Sequence, residues 1–143
     1  MVNFQSTYPR CVSALRFYPQ GLNGHPLESI RLANKAVRKI RDAAIDLEEA
    51  LKVKQKEINA LVASAEGDEA RQAEVKAAKE VFEAEVLATN KTMLPIECQP
   101  DAARAFAEVL KKIDWSNKDL KDKFQTGDML NVDEFIEEIE AAA

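Results

Sequence analysis

Between Ile30 and Leu61 the apolar side chains return every three or four residues. Ile30, Ala33, Val37, Ile40, Ala44, Leu47, Leu51, Lys54, Ile58 and Leu61 fill ten positions of a heptad seam, and only Lys54 is not apolar. No Gly or Pro interrupts the stretch. At 3.6 residues per turn these positions fall on one stripe, so the pattern predicts a long amphipathic helix. Every other part of the chain is then constrained by the need to cover that stripe.

The limits of the helix follow from its flanks. Pro26 suits a first helical turn, where a missing N–H costs nothing, and Glu28 meets the positive end of the macrodipole. The helix is expected to reach about Ser64, with Gly67 as a left-handed terminator and Asp68 as the cap of the next helix. That second helix spans about Glu69 to Thr89, with Val75, Ala78, Val81, Phe82 and Val86 as its apolar face. A short connection makes the two helices antiparallel neighbours. At 1.5 Å per residue they measure roughly 55 Å and 32 Å, so the second reaches back only to about Ala44. The seam residues Ile30, Ala33, Val37 and Ile40 overhang. Their cover is expected from the N-terminal arm, from the C-terminal third or from a second copy of the chain. A parallel dimer through the first helix is a competing arrangement, with Lys54 restricting its register.

Residues 1–25 differ from the rest. Phe4, Tyr8, Phe17 and Tyr18 lie among Pro9, Pro19, Gly21 and Gly24. Cys11 to Tyr18 reads as a short strand, and Thr92 to Cys98 as an edge strand limited by Pro95, so the two are expected to pair. The aromatics either dock on a partner, in which case Phe17 and Tyr18 are contact residues, or pack on the chain's own helices. Further on, Asp101 to Ile113 reads as an amphipathic helix entered through Pro100. Ser116 is expected to cap a brief helix, Asn117 to Gln125, and Gly127 to break the chain. Asn131 and Glu134 have capping-box spacing before a last helix, Val132 to Glu140.

Charge is segregated, although the whole chain of 143 residues carries only −5. Residues 28–41 hold Arg31, Lys35, Arg38, Lys39 and Arg41 against Glu28; residues 114–143 hold nine acids against three lysines. One reading makes Arg31, Lys35, Arg38 and Lys39 a surface for an acidic partner or a phosphate backbone. The other folds the acidic third over the basic overhang. The acidic end as a nucleic-acid mimic is a further reading, but a net of −6 over thirty residues is modest for that role. The acidic total makes nucleic-acid binding the less favoured use of the basic helix.

Motifs for chemistry are missing. His25 is the single histidine, Cys11 and Cys98 are the two cysteines, and no CxxC, GxGxxG, Walker loop or GxSxG is present. A lone histidine with two scattered thiols makes no zinc site by spacing. No cofactor, metal or enzymatic activity is expected. No apolar run approaches the ~20 residues of a membrane span. The N-terminus lacks a signal-peptide pattern, so a cytoplasmic protein with reduced thiols is expected.

In layout, a basic-then-acidic helical hairpin, the segment Met93–Glu97, small helices and an acidic tail, the chain resembles small uncharacterised proteins encoded by bacteriophages. The resemblance implies a phage or mobile-element accessory protein. The fold expected is mainly α: a long antiparallel hairpin capped by short C-terminal helices, with a minor two-stranded β element, in a single domain over residues 1–143. The function expected is that of a non-enzymatic inhibitor or adaptor of a host or defence protein. The alternatives are a virion assembly chaperone or oligomeric scaffold, with homodimerisation, and nucleic-acid binding through residues 28–41.

Overall fold

In a computed structural model describing residues 1–143, the chain is mainly helical with one small antiparallel sheet. The elements in order are β1 (Val2–Thr7), α1 (Tyr8–Phe17), a 3₁₀ turn (Tyr18–Gly21), α2 (Leu27–Ser64), α3 (Glu69–Lys91), β2 (Met93–Cys98), α4 (Pro100–Lys111), α5 (Lys118–Lys121) and α6 (Thr126–Ala142). The chain divides into two compact units. One comprises Met1–Ala44 with Met93–Ala143, and the other is Ile45–Thr92. Helix α2 contributes to both. No helix is long and apolar enough to cross a membrane.

The first unit holds the core. β1 pairs antiparallel with β2, Val2 opposite Cys98 and Thr7 opposite Met93. Val2, Phe4 and Ser6 alternate inward with Leu94, Ile96 and Cys98, while Asn3, Gln5, Met93, Pro95 and Glu97 stay exposed. Pro95 is tolerated because the sheet has only two strands, so each strand has an edge on which a missing N–H is not needed. The partner of β2 differs from the one expected. Cys11 to Tyr18 is not a strand: it falls in α1 and the 3₁₀ turn that follows. Thr7 is extended and Pro9 lies in the first helical turn, which its fixed φ suits. The buried residues Cys11, Ala14, Phe17 and Tyr18 then recur at helical spacing. The strand lies earlier, in the strict alternation of Val2 to Ser6.

Aromatic rings join these elements. Phe135 of α6 meets Phe4 of β1 edge-on at 5.7 Å and Phe106 of α4 at 5.8 Å. Phe106 stacks on Tyr18 at 5.2 Å. A second cluster packs Phe17 against Trp115 and Phe124, at 5.2 and 6.4 Å. Each such pair adds about 0.5–1.5 kcal/mol beyond its buried area. Helix α2 joins the unit through the face carrying Ala33, Ala36, Ile40 and Ala44, all buried, and the Tyr18 hydroxyl donates to Asn34 Oδ1 at 2.8 Å. The first half of the heptad seam is therefore covered within its own unit, and over Ile30–Ala44 it is not free for a parallel dimer.

The second unit is the hairpin. Gly67 has φ +78° and Asp68 caps α3, accepting from the Ala70 and Arg71 amides at 3.0 and 3.3 Å, as the sequence predicts. The unit begins at Ile45, next to the Ala44 level reached by counting α3 back along α2. Lys54, the polar seam residue, forms an ion pair with Glu85 across the two helices.

The C-terminal elements shift from their expected bounds. Asn117, not Ser116, caps the short α5, accepting from the Asp119 amide at 2.9 Å. Helix α6 begins six residues before Val132. The cap spacing belongs to Gln125 and Asp128, whose carboxylate accepts from the Gln125 N–H at 3.0 Å. Gly127 does not break the chain. It lies in the first turn of α6, where its N–H needs no intrahelical partner. Asn131 instead donates to Ser13 Oγ at 3.2 Å.

Gly21 lies against α4 so closely that a Cβ would stand 1.9 Å from the Val109 carbonyl oxygen, whereas one on Gly127 would meet nothing within 4 Å. Gly21→Ala is expected to cost about 2–3 kcal/mol through overpacking. Gly127→Ala is expected to be neutral or to add up to about 1 kcal/mol by restricting the unfolded chain. Urea unfolding of the two variants measures the contrast.

Candidate partner-binding surface

Successive residues of α2 turn by 100°, which separates its two faces over residues 31–44. Ala33, Ala36, Ile40 and Ala44 face the core. Arg31, Lys35 and Arg38 lie opposite, within about 60° of arc, and Lys39 and Arg41 flank them. All five are exposed. The arrangement is local in origin, since the small alanines bring α2 close to its unit and force the long cations outward, where their heads stay hydrated.

These cations have few acids to answer them. Arg31 reaches Glu28 at 3.5 Å, but the two side chains are 66% and 84% exposed, which makes the pair worth little. Lys35, Arg38, Lys39 and Arg41 form no ion pair. No carboxylate of the acidic C-terminal third pairs with these cations, and Asp128, Glu134, Glu138 and Glu140 are held elsewhere. Arg10 of α1 reaches Glu134 at 2.6 Å and Glu138 at 3.4 Å. The buried Ser6 hydroxyl donates to Glu138 at 2.8 Å. Ser13 donates to Asp128 at 3.3 Å, and Lys111 pairs with both Glu108 and Glu140. Four acids of α6 are thus engaged by α1, β1 and α4.

The aromatic half of the expected site is not on the surface. Phe17 and Tyr18 are 2% and 6% exposed. The rings that were candidate partner contacts pack on the chain's own helices, which was the second reading of the arm. Their burial follows from α1: in a helix of Tyr8–Phe17 the terminal aromatics land on the same side as Cys11 and Ala14. Arg10 is the residue that sequence reasoning passed over. A single arginine in an aromatic arm gives no periodic signal, and its partners lie more than 120 residues away.

No arrangement of nucleophile, base or metal ligands accompanies the stripe. Burial pushes the Cys11 thiol up from 9.0 to about 12, with the Ser6 hydrogen bond opposing and the Glu138 charge adding to the rise. Burial also raises the Cys98 thiol, an effect that the Lys39 ammonium partly offsets. Both sulfurs are free, buried and protonated at neutral pH, which makes them poor nucleophiles. No group of three His, Cys, Asp or Glu side chains stands close enough to hold a metal ion. In comparisons with known proteins, no family model, no curated protein and no solved structure matches the chain.

Two predictions follow from these contacts. Arg10→Ala strands the carboxylates of Glu134 and Glu138 and is expected to lower stability by about 1–3 kcal/mol. The double change Arg31→Glu/Arg38→Glu, on an exposed face, is expected to stay within about 0.5 kcal/mol per site. Thermal denaturation of the two variants tests both. The raised Cys11 pKa favours the folded state only while the thiol is protonated in both states. Stability is therefore expected to hold below pH 9 and to fall as pH rises from 9 towards 12. Burial raises Tyr18 and Cys98 in the same direction, so Cys11→Ala should flatten this slope without abolishing it. Urea midpoints taken across that range provide the check.

Proposed function

We propose that the protein is a non-enzymatic protein-binding accessory factor, of the phage or mobile-element type, that acts as an inhibitor or adaptor of a host protein. Its contact surface is the basic face of α2, built on Arg31, Lys35, Arg38 and Lys39, and its partner presents an acidic surface. One observation carries the reading: Lys35, Arg38, Lys39 and Arg41 are exposed without an ion pair in a chain with an excess of acids. Cations left unsatisfied on one face, while Glu134, Glu138 and Glu140 of α6 are engaged by Arg10 and Lys111, form a field that steers an acidic partner.

A protein partner is preferred over nucleic acid on electrostatic grounds. The net charge of −5 repels a polyphosphate at long range, and the stripe spans only about three turns of one helix. A folded acidic patch of the same length fits that footprint.

A tagged pull-down from nuclease-treated bacterial lysate, read by mass spectrometry, tests the proposal. The expected result is one stoichiometric protein, released as salt rises and lost with Arg31→Glu/Arg38→Glu at unchanged melting temperature. Recovery of the same protein by the double variant would remove the stripe from the function. Binding of the untreated chain to nucleic acid at low salt, with no protein recovered, would favour the phosphate backbone as the ligand.

A further inference from the structure

The geometry points to the free edge of β1 as a pairing site for a second copy of this chain, the two β1 strands joining antiparallel about a two-fold axis at Gln5. The inference rests on the sheet and not on the role of the basic stripe. Gln5 stands opposite Pro95 in the β1–β2 register. Proline has no N–H to exchange, so theirs is a non-hydrogen-bonded pair. The ladder bonds then belong to Val2–Cys98, Phe4–Ile96 and Ser6–Leu94. The residues between them turn their backbone groups outward: Asn3, Gln5 and Thr7 on β1, and Met93, Pro95 and Glu97 on β2. The sheet has only two strands, and no backbone bond outside the ladder reaches the N–H of Asn3, Gln5 or Thr7. Asn3 and Gln5 are exposed, so these groups face water. The two edges are not alike. On β2, Pro95 sits mid-strand and Glu97 adds a charge, two devices that keep a further strand away. On β1 the run Val2–Thr7 has neither a proline nor a charge.

A row of outward N–H and C=O groups admits only an extended strand. Charge selects which strand. At its Ser6 end β1 lies against Glu138, which with Glu134 sets two acids against the single cation Arg10. At the other end Val2 pairs with Cys98, and the ammonium of Lys39, which forms no ion pair, acts on the Cys98 thiol. The edge therefore runs from a cationic end to an acidic one. Antiparallel pairing of two copies lays the acidic end of each beside the cationic end of the other, twice over by symmetry. A foreign strand would have to bring both signs in that order. The register follows from the outward groups. Gln5 faces Gln5 of the second copy and Asn3 faces its Thr7, so no like charges stand opposite each other. Growth stops at two copies. The joined sheet runs β2–β1–β1–β2, and each outer edge carries Pro95, so the assembly closes as a dimer and not as a fibre.

Sedimentation velocity of the full chain, from micromolar to near-millimolar concentration, tests this. The wild type is expected to show a concentration-dependent dimer. Gln5→Pro deletes an N–H that the β1–β2 ladder does not use. It should raise the dimer dissociation constant roughly tenfold or more while the circular dichroism stays unchanged. If Gln5→Pro disturbs the fold, a charge pair at the same exposed position decides the matter. Gln5→Lys and Gln5→Glu, each alone, should weaken the dimer about threefold by setting like charges across the axis, and an equimolar mixture of the two should restore it. Arg31→Glu/Arg38→Glu should remain a dimer, which separates this inference from the role proposed for the stripe. A wild type that is monomeric over the whole range, a dimer left intact by a folded Gln5→Pro, or a Lys/Glu mixture no tighter than its components would each overturn the inference. A monomeric wild type that loses its captured protein with Gln5→Pro would assign the edge to a foreign strand and overturn the second copy as its occupant.

Discussion

Phe135 lies at the contact on which the first unit depends. It is fully buried, and its ring touches Phe4 of β1 and Phe106 of α4 edge-on. Phe106 in turn stacks on Tyr18, whose hydroxyl holds Asn34 of α2. Four rings and one hydrogen bond thus connect the first strand, the 3₁₀ turn, two C-terminal helices and the start of the longest helix. Sequence neighbours supply little of this packing, since Phe4 and Phe135 stand at opposite ends of the chain. The termini are not loose arms. They are the two halves of one core, joined by contacts of long sequence separation.

Electrostatics follows from that packing. Once α6 is fixed across β1 and α1, Glu134 and Glu138 face Arg10, and Ser6 completes the site from within the core. A partly buried carboxylate with a cation and a hydroxyl in place has little to gain from an exposed lysine elsewhere. This is the physical reason Glu134 and Glu138 do not neutralise the basic face of α2, even though the formal charges are opposite. Matching charges in a sequence say only that a pairing is affordable, and geometry assigns the partners.

The two units differ in how they meet the hydrophobic requirement. The first buries the large side chains Phe106, Val109, Leu110, Val132, Phe135 and Ile139 of α4 and α6. The second has two helices and one shared seam, and a hairpin of this kind can half-cover its seam but cannot enclose it. The alanine-rich composition of α3 makes the difference larger, because alanine favours the helix while offering little area to bury. Helix formation and core formation are here supplied by different parts of the chain.

Much of the fold was legible in the residues. The heptad seam, the terminator Gly67, the cap Asp68, the antiparallel hairpin, the edge strand with Pro95 and the helix entered through Pro100 all rest on local rules of period, φ and capping. The basic stripe was legible too, because a spacing of three and four residues places Arg31, Lys35 and Arg38 on one helical face. Local rules failed where two local structures compete. Cys11 to Tyr18 carries β-forming residues yet is helical, since Pro9 starts a helix there and burial at helical spacing outweighs strand propensity. Gly127 and Asn131 were misread because a glycine in a first turn costs little and several polar residues offered cap spacing. What the sequence by itself determined is which segments are helical and which faces are apolar or charged, properties set within a few residues. Only the tertiary structure decided which acids meet Arg10, that Phe17 and Tyr18 are spent on the core, and that α3 stays uncovered. Each of these depends on elements separated by tens of residues, where loop closure and packing, not local propensity, choose the contact.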